Sequence, residues 1–367
     1  MDAGNFAIRR TYSPAMENQP NPKFLPLLDL KRPWQAYIQA PGRAEHYEVR
    51  TEDGLILALR RVRPFGYVDA VAGVARPAVM LLHGLAANHR GFHFRGRSLA
   101  EWLTRRGFDV WLPELRGHGD SQFHGVGWRY SDYLRYDLPA IIATIQQHAS
   151  SEKIHWIGHS MGGMLLMSYG ILNPSAPIGQ AIALGSALEF EDPRRGMSQL
   201  LKIRPAFDRL GIIPFRSIMR GFAPAVGRAV RVGAPFQVWP TNIEGQAHRE
   251  LYANCFEDIP ASLLVSLSGL LEPGGIKLDD GYCLLENGAN FPFPLRILGG
   301  SRDAQVSAAS VVSTARRLGP AAHSIILGPD SPGEGRTREH YGHWGFMVGK
   351  NAEIETWPLI AQWLENK

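Results

Sequence analysis

Cysteine is scarce: Cys255 and Cys283 are the only two in 367 residues. That excludes a disulfide-built scaffold and a four-cysteine zinc module, and makes a reducing compartment the default. Charge of either sign is not in large excess, since 39 Lys and Arg against 34 Asp and Glu leave +5. Lysine itself is rare, seven against 32 arginines. Such a bias fits genome composition better than nucleic-acid binding, and no nucleic-acid partner is expected. A membrane-spanning run is also missing. The longest uncharged stretch, Ile154 to Leu188, is broken by Gly158, Gly162, Gly163, Asn173-Pro174 and Pro177, so no helix of about 20 residues fits. No apolar leader follows Arg9 and Arg10; five prolines between residues 13 and 33 mark an extended arm over 1–45 instead. The expectation is a soluble, cytoplasmic protein. Hydrophobic residues at 45% and charged residues at 20% exclude a disordered or collagen-like chain.

What is present is alternation. His46–Arg50 and Leu55–Val62, joined at Asp53-Gly54, read as a hairpin. Continuous apolar runs at Ala78–Leu82, Phe108–Leu112, Ile154–Ile157 and Ala181–Leu184 read as buried strands. Helical patterns lie between them at Ser98–Arg106, Ser131 to about Ala149, and Met161–Leu172. The pattern breaks over 189–290 and resumes as strand Leu295–Leu298, helix Ser307–Leu318, strand Ser324–Leu327 and helix Ala352–Glu365. The fold class is therefore α/β: a mostly parallel sheet with helices on both faces. The core comprises 46–188 and 291–367, and 189–290 is an inserted, mainly helical cap.

Gly158-His159-Ser160-Met161-Gly162 fits G-x-S-x-G, directly after an expected strand and directly before an expected helix. Flanking glycines let a serine sit on a sharp, strained turn with its hydroxyl above the sheet. The first N–H groups of the helix are unpaired there and can stabilise an oxyanion.

With this motif the chain resembles the α/β-hydrolase family over about 45–190 and 290–367. The resemblance rests on Leu81-Leu82-His83-Gly84-Leu85, Gly107-Phe108-Asp109-Val110-Trp111-Leu112-Pro113, Arg116-Gly117-His118-Gly119-Asp120-Ser121 and Gly158-His159-Ser160-Met161-Gly162-Gly163. Thr51-Glu52-Asp53-Gly54-Leu55 and Ser98-Leu99-Ala100-Glu101-Trp102-Leu103 are similar to the lipase and esterase branch. The resemblance implies Ser160 as nucleophile, with the N–H groups of Met161 and Leu85 as the oxyanion hole. A serine here disfavours dehalogenases and epoxide hydrolases, which use Asp, and polyester synthases, which use Cys.

The remaining triad members follow in the order Ser, acid, His. Asp303, after strand Leu295–Leu298, is the candidate acid, ahead of Asp330, Asp279 and Asp280. In Glu339-His340-Tyr341-Gly342-His343-Trp344-Gly345-Phe346 the segment resembles the family's Gly-His-x-x-Phe ending, and His343 is preferred to His340 as base. His83 reads as architectural and His159 as a packing residue. His89 and His93 stand four apart without a glutamate between them, so no metal is expected; no cofactor is implied.

Two features of the insertion invite function. Residues 194–231 hold eight Arg, one Lys and one Asp, interleaved with apolar residues. They suit a solvated face, an anionic membrane surface, or an anionic partner. Leu263, Leu264, Leu267, Leu270 and Leu271 fall at helical spacing; they form cap core, or Leu263, Leu267 and Leu270 wall an acyl pocket. The resulting expectation is a cofactor-free serine hydrolase of carboxylic esters, with medium acyl chains and an acyl-enzyme intermediate. Acyl transfer by the same triad and a non-catalytic binding protein on the same fold are the alternatives.

Overall fold

The computed structural model describes residues 44–62, 76–122, 127–191, 211–226, 236–289 and 291–365. Most of the expected arm, residues 192–210 and residues 227–235 therefore lie outside the described residues. Eight strands form the main sheet: β1 Ala44–Arg50, β2 Ile56–Val62, β3 Ala78–Leu82, β4 Asp109–Pro113, β5 Ile154–His159, β6 Ile178–Leu184, β7 Leu295–Gly300 and β8 Ala322–Leu327. Their order is β1-β2-β4-β3-β5-β6-β7-β8. β1 and β2 form the antiparallel hairpin and β2 pairs antiparallel with β4, while the other neighbours are parallel. β1 begins two residues inside the stretch assigned to the arm, because Ala44 and Glu45 pair with Val62 and Arg61.

β3 shows why apolar runs become central strands. All five of its side chains are buried, and successive residues point to opposite faces. Ala78, Met80 and Leu82 join one apolar cluster, and Val79 and Leu81 join the other. The first cluster takes in α2 (Leu138–His148), α3 (Met161–Leu172) and α7 (Ala308–Leu318). The second takes in α1 (Leu99–Arg105), the single turn α8 (Gly345–Val348) and α9 (Ala352–Glu365). α3 is buried from Met161 through Gly170, which accounts for its lack of charge. Ser98 and Ser307 cap α1 and α7 by accepting from Glu101 N and Ser310 N.

The helix expected from Ser131 differs. A turn over Tyr130–Asp132 leads into a wide π turn, Tyr133–Asp137, before regular α2 begins. Pro139, at the second position of α2, lacks the N–H of a regular ladder and is tolerated only in a first turn.

The segment 189–290 adds no strand to the main sheet among the described residues. It supplies α4 (Phe215–Phe222), α5 (Gly245–Asn254) and α6 (Ala261–Leu267), the last continued by a tighter turn through Leu271. The leucines of α6 enter the first apolar cluster, and Leu251, Tyr252 and Ala253 of α5 enter the second.

Candidate active site

The C-terminal ends of the parallel strands carry the expected residues: Asp303 and His343 meet there, and His159, next to Ser160, bonds the His343 carbonyl. Ser160 occupies the turn between β5 and α3 at φ 53°, ψ −119°. Among the described residues, Ser160 and Ala86 are the two non-glycine residues with positive φ, a conformation that costs on the order of 1–3 kcal/mol. The flanking glycines are required by crowding. A Cβ on Gly158 would lie 2.3 Å from the Gly162 carbonyl, and one on Gly162 would lie 2.2 Å from the Leu82 carbonyl. The turn is tied to β6, since Ser160 N donates to Leu184 O at 2.8 Å and Ser186 Oγ donates to Ser160 O at 2.8 Å. Ser160 is partly exposed, and its hydroxyl makes no hydrogen bond among the described residues.

Asp303 follows β7 by three residues. Its Oδ1 accepts from Gln305 N at 2.8 Å and Val306 N at 3.0 Å, and its Oδ2 lies 2.8 Å from His343 Nδ1. Both side chains are sealed, at 0% and 2% exposure. A carboxylate only accepts, so Nδ1 carries the proton and Nε2 is left as the free basic nitrogen. The rivals are elsewhere. His340 Nδ1 bonds Ser301 Oγ at 3.0 Å, Asp279 engages Arg129 and Ser131, Asp280 accepts from Tyr282 N, and Asp330 is exposed.

Behind this pair lies a support that sequence reasoning missed. Gln237, from the insertion, accepts at Oε1 from Trp344 Nε1 and Gln305 Nε2, each at 2.9 Å. One buried amide thus joins the residue after His343 to the residue that caps Asp303. Only its place in space reveals it, because a lone glutamine in an irregular stretch carries no pattern. His159 Nε2–H donates to the His343 carbonyl at 2.9 Å, and its ring lies 4.7 Å from that of His343 and 4.9 Å from that of Trp344. Burial, with His343 beside it, pushes the His159 imidazole well below the usual histidine range.

The loop after β3 approaches from the other side. A Cβ on Gly84 would fall 2.8 Å from Ser160 Cβ. His83 is buried; its Nδ1–H donates to Gly84 O at 3.0 Å and its Nε2 accepts from Leu115 N at 3.2 Å. Burial, then the neighbouring His118, lowers its pKa to about 3, so it is a neutral brace for the loop. No acceptor takes the Leu85 or Met161 N–H among the described residues. His89 turns onto Glu114 Oε1 at 2.5 Å, and His93 onto Ser98 Oγ at 2.8 Å. Burial would raise the Glu114 carboxyl, but His89, Arg60 and the Asp120 N–H outweigh it and hold the group well below the ordinary range.

The leucines of the insertion are interior. Leu263, Leu267 and Leu270 are 0%, 3% and 2% exposed. All three lie in the first apolar cluster, so in this structure they pack as interior side chains. Of the basic stretch, α4 is described. Arg216 pairs with Glu257 at 3.4 Å and Arg220 Nε donates to Ala253 O at 3.1 Å, while Ile218 and Phe222 are 42% and 53% exposed. Among the described residues, no helix is long and apolar enough to cross a membrane.

Comparison with known proteins bears on this arrangement. Residues 77–210 match the family model of the α/β hydrolase fold. Human lipase member M is 37% identical over 129 residues, 32% of this chain and 30% of the relative. Mouse gastric triacylglycerol lipase is 38% identical over 130 residues, 32% of this chain and 33% of the relative. The chain thus spans about a third of the length of these curated relatives. Among solved structures, an α/β hydrolase from Novosphingobium aromaticivorans has a TM-score of 0.55 at 23% identity, covering 89% of this chain and 99% of its own. A thermophilic esterase from Thermogutta terrifontis has a TM-score of 0.57 at 16% identity, covering 88% and 98%.

Proposed function

We propose that this chain, an α/β hydrolase by fold with lipase- and esterase-like sequence, is a serine hydrolase of carboxylic esters. The observation that carries the reading is the sealed 2.8 Å bond from His343 Nδ1 to Asp303, in a loop tied through His159 to the left-handed Ser160 turn. In this reading His343 Nε2 takes the Ser160 proton as Oγ attacks the ester carbonyl. Asp303 holds the imidazole tautomer and stabilises the imidazolium that forms. The N–H groups of Leu85 and Met161 receive the oxyanion. His343 then gives its proton to the departing alcohol, leaving an acyl-enzyme, and water repeats the sequence to release the acid. No other group is needed for the chemistry.

The acyl part is proposed to be of medium length. Leu263, Leu267 and Leu270 are packed inside, so an acyl chain would extend among them only where that packing gives way. Each methylene so buried is worth about 0.8 kcal/mol. The basic, apolar face around α4 is proposed to meet anionic lipid. Binding to anionic vesicles at low salt, lost at high salt as screening requires, is the expected result.

The deciding experiment is labelling with a fluorophosphonate followed by peptide mapping, then a panel of esters of rising acyl length. Adduct on Ser160, absent from Ser160→Ala, is expected. Labelling that survives in Ser160→Ala overturns the nucleophile.

A further inference from the structure

The loop that carries Leu85 is not held by the sheet alone. Ala86, one residue on, is left-handed at φ 52°, a conformation that persists only when its surroundings impose it. Here the surroundings come from the insertion. Glu257 N donates to Ala86 O at 2.9 Å, and Ala87 forms an isolated antiparallel bridge with Phe256. The side chain of Asn88 donates from Nδ2 to Asn254 O at 2.9 Å and to Glu257 Oε1 at 2.7 Å, while its Oδ1 accepts from Arg90 N at 3.0 Å. Asn88 and Glu257 are 3% and 4% exposed, so water does not substitute readily for either partner. The same segment reaches the base: the Phe256 ring lies edge-on to Trp344, 5.3 Å away, directly after His343. Residues 254–257 thus form a strap that touches both loops of the site without contributing a reacting atom.

We propose that Asn88 and Glu257 are positioning residues: their buried hydrogen bond fixes the loop after β3 so that the Leu85 N–H is aimed at the oxyanion before substrate arrives. This rests on the ester-hydrolase reading of Ser160. A donor held in place in advance contributes most in the transition state, when charge develops on the carbonyl oxygen. Losing the strap therefore lowers kcat and leaves ground-state binding nearly untouched. The requirement at position 257 is an acceptor, not a charge, since Arg216, which pairs with it at 3.4 Å, is 41% exposed on its side chain.

The test compares the full chain with Asn88→Ala, Glu257→Ala, the double variant and Glu257→Gln. A soluble nitrophenyl ester gives kcat and KM, a fluorophosphonate gives the labelling rate at Ser160, and thermal unfolding reports on the fold. Removing a whole oxyanion donor costs about 10²–10³-fold in kcat; misaiming one should cost about 10–100-fold. Each alanine variant should show that loss with KM within about twofold, and the labelling rate should fall in parallel. The double variant should be no worse than the worse single, as two ends of one bond require. Glu257→Gln keeps the acceptor and should stay within about threefold of the native enzyme. Asn88→Asp keeps the shape and removes both donors, and serves if an alanine variant does not fold. Native-like kcat in a folded alanine variant, additive losses, or Glu257→Gln as damaged as Glu257→Ala overturns the proposal. If the unmodified protein is not labelled at Ser160, the ester-hydrolase reading fails first. If it is labelled and Asn88→Asp is unimpaired, only the strap fails.

Discussion

In the sheet, each strand is dictated by its own few residues; in the insertion, nearly every element is placed by a partner far off in sequence. β3 is five consecutive buried apolar residues and needs nothing more to be a central strand. α6 is different. Ser262 Oγ donates to Trp128 O at 2.8 Å, Tyr130 N donates to Ser266 Oγ at 3.0 Å, and Phe190 N donates to Leu270 O at 2.9 Å. Ser262 and Ser266 are therefore staples to the segment before α2, while Ser268 bonds Val265 O within its own helix. α5 and α6 enter opposite apolar clusters, so the insertion grips the core on both sides of the sheet. The core carries Ser160, Asp303 and His343, and the segment 189–290 packs against the loops around them: Gln237 on Trp344 and Gln305, Asn254 to Glu257 beside the loop after β3.

That division can be broken at its strongest point first. Ser160→Ala should lower the catalysed rate by roughly 10⁶-fold if the triad acts as a unit. Asp303→Asn should cost on the order of 10⁴-fold by favouring the wrong imidazole tautomer. Both should unfold at close to the native temperature, because no hydrogen bond of the Ser160 hydroxyl is lost and the shape of residue 303 is kept. Steady-state kinetics beside thermal melts checks this.

In the insertion the order should invert, with stability affected before chemistry. Leu267→Ala removes a fully packed side chain and should cost about 2–5 kcal/mol, read from denaturant midpoints. If the new cavity opens toward the acyl group, the ester panel should also shift toward longer chains. A loss of turnover at all chain lengths without loss of stability would contradict the division.

Acid should find the insertion through His248. Burial, then Arg249, lowers its pKa to about 4. In the unfolded chain it binds a proton below about 6.5, and in the folded chain only below about 4. The stability it contributes is therefore complete above pH 6.5 and is lost as pH falls toward 4, at up to about 1.4 kcal/mol per pH unit. His248→Gln should flatten the fall of the unfolding midpoint across that window. The smallest effect belongs to Arg216→Ala. Its half-exposed ion pair with Glu257 should contribute no more than about 1 kcal/mol, and a larger change would mean that charge, not acceptor geometry, holds the strap.

The same contrast explains what could be read from the sequence. Met161–Leu172 and Ala352–Glu365 coincide with α3 and α9, and Ala78–Leu82 with β3, because period and composition act within one element. The pairing of Asp303 with His343 was approachable because each follows a strand end in a known order. Nothing local announced α4 or α5. α5 begins at Gly245 and carries His248 and Arg249 on buried positions, which reads as polar until its partners are known. Ala86 gave no sign of its left-handed backbone, since alanine is a residue that ordinarily avoids it.

The placement of the insertion also sets a clock. β6 and β7 are neighbours in the sheet, Ala181 beside Leu295, yet about 110 residues separate the end of one from the start of the other. A chain leaving the ribosome at about 5–20 residues per second makes β6 and then waits roughly 5–20 s before β7 exists to cover it. Through that interval the edge of a nearly complete parallel sheet is bare, apolar on both faces, and able to pair with any strand it meets. The insertion that later steadies the site is, during synthesis, the delay that leaves its scaffold unfinished. Slowed translation within 189–290 should therefore lower soluble yield more than the same slowing placed after residue 327.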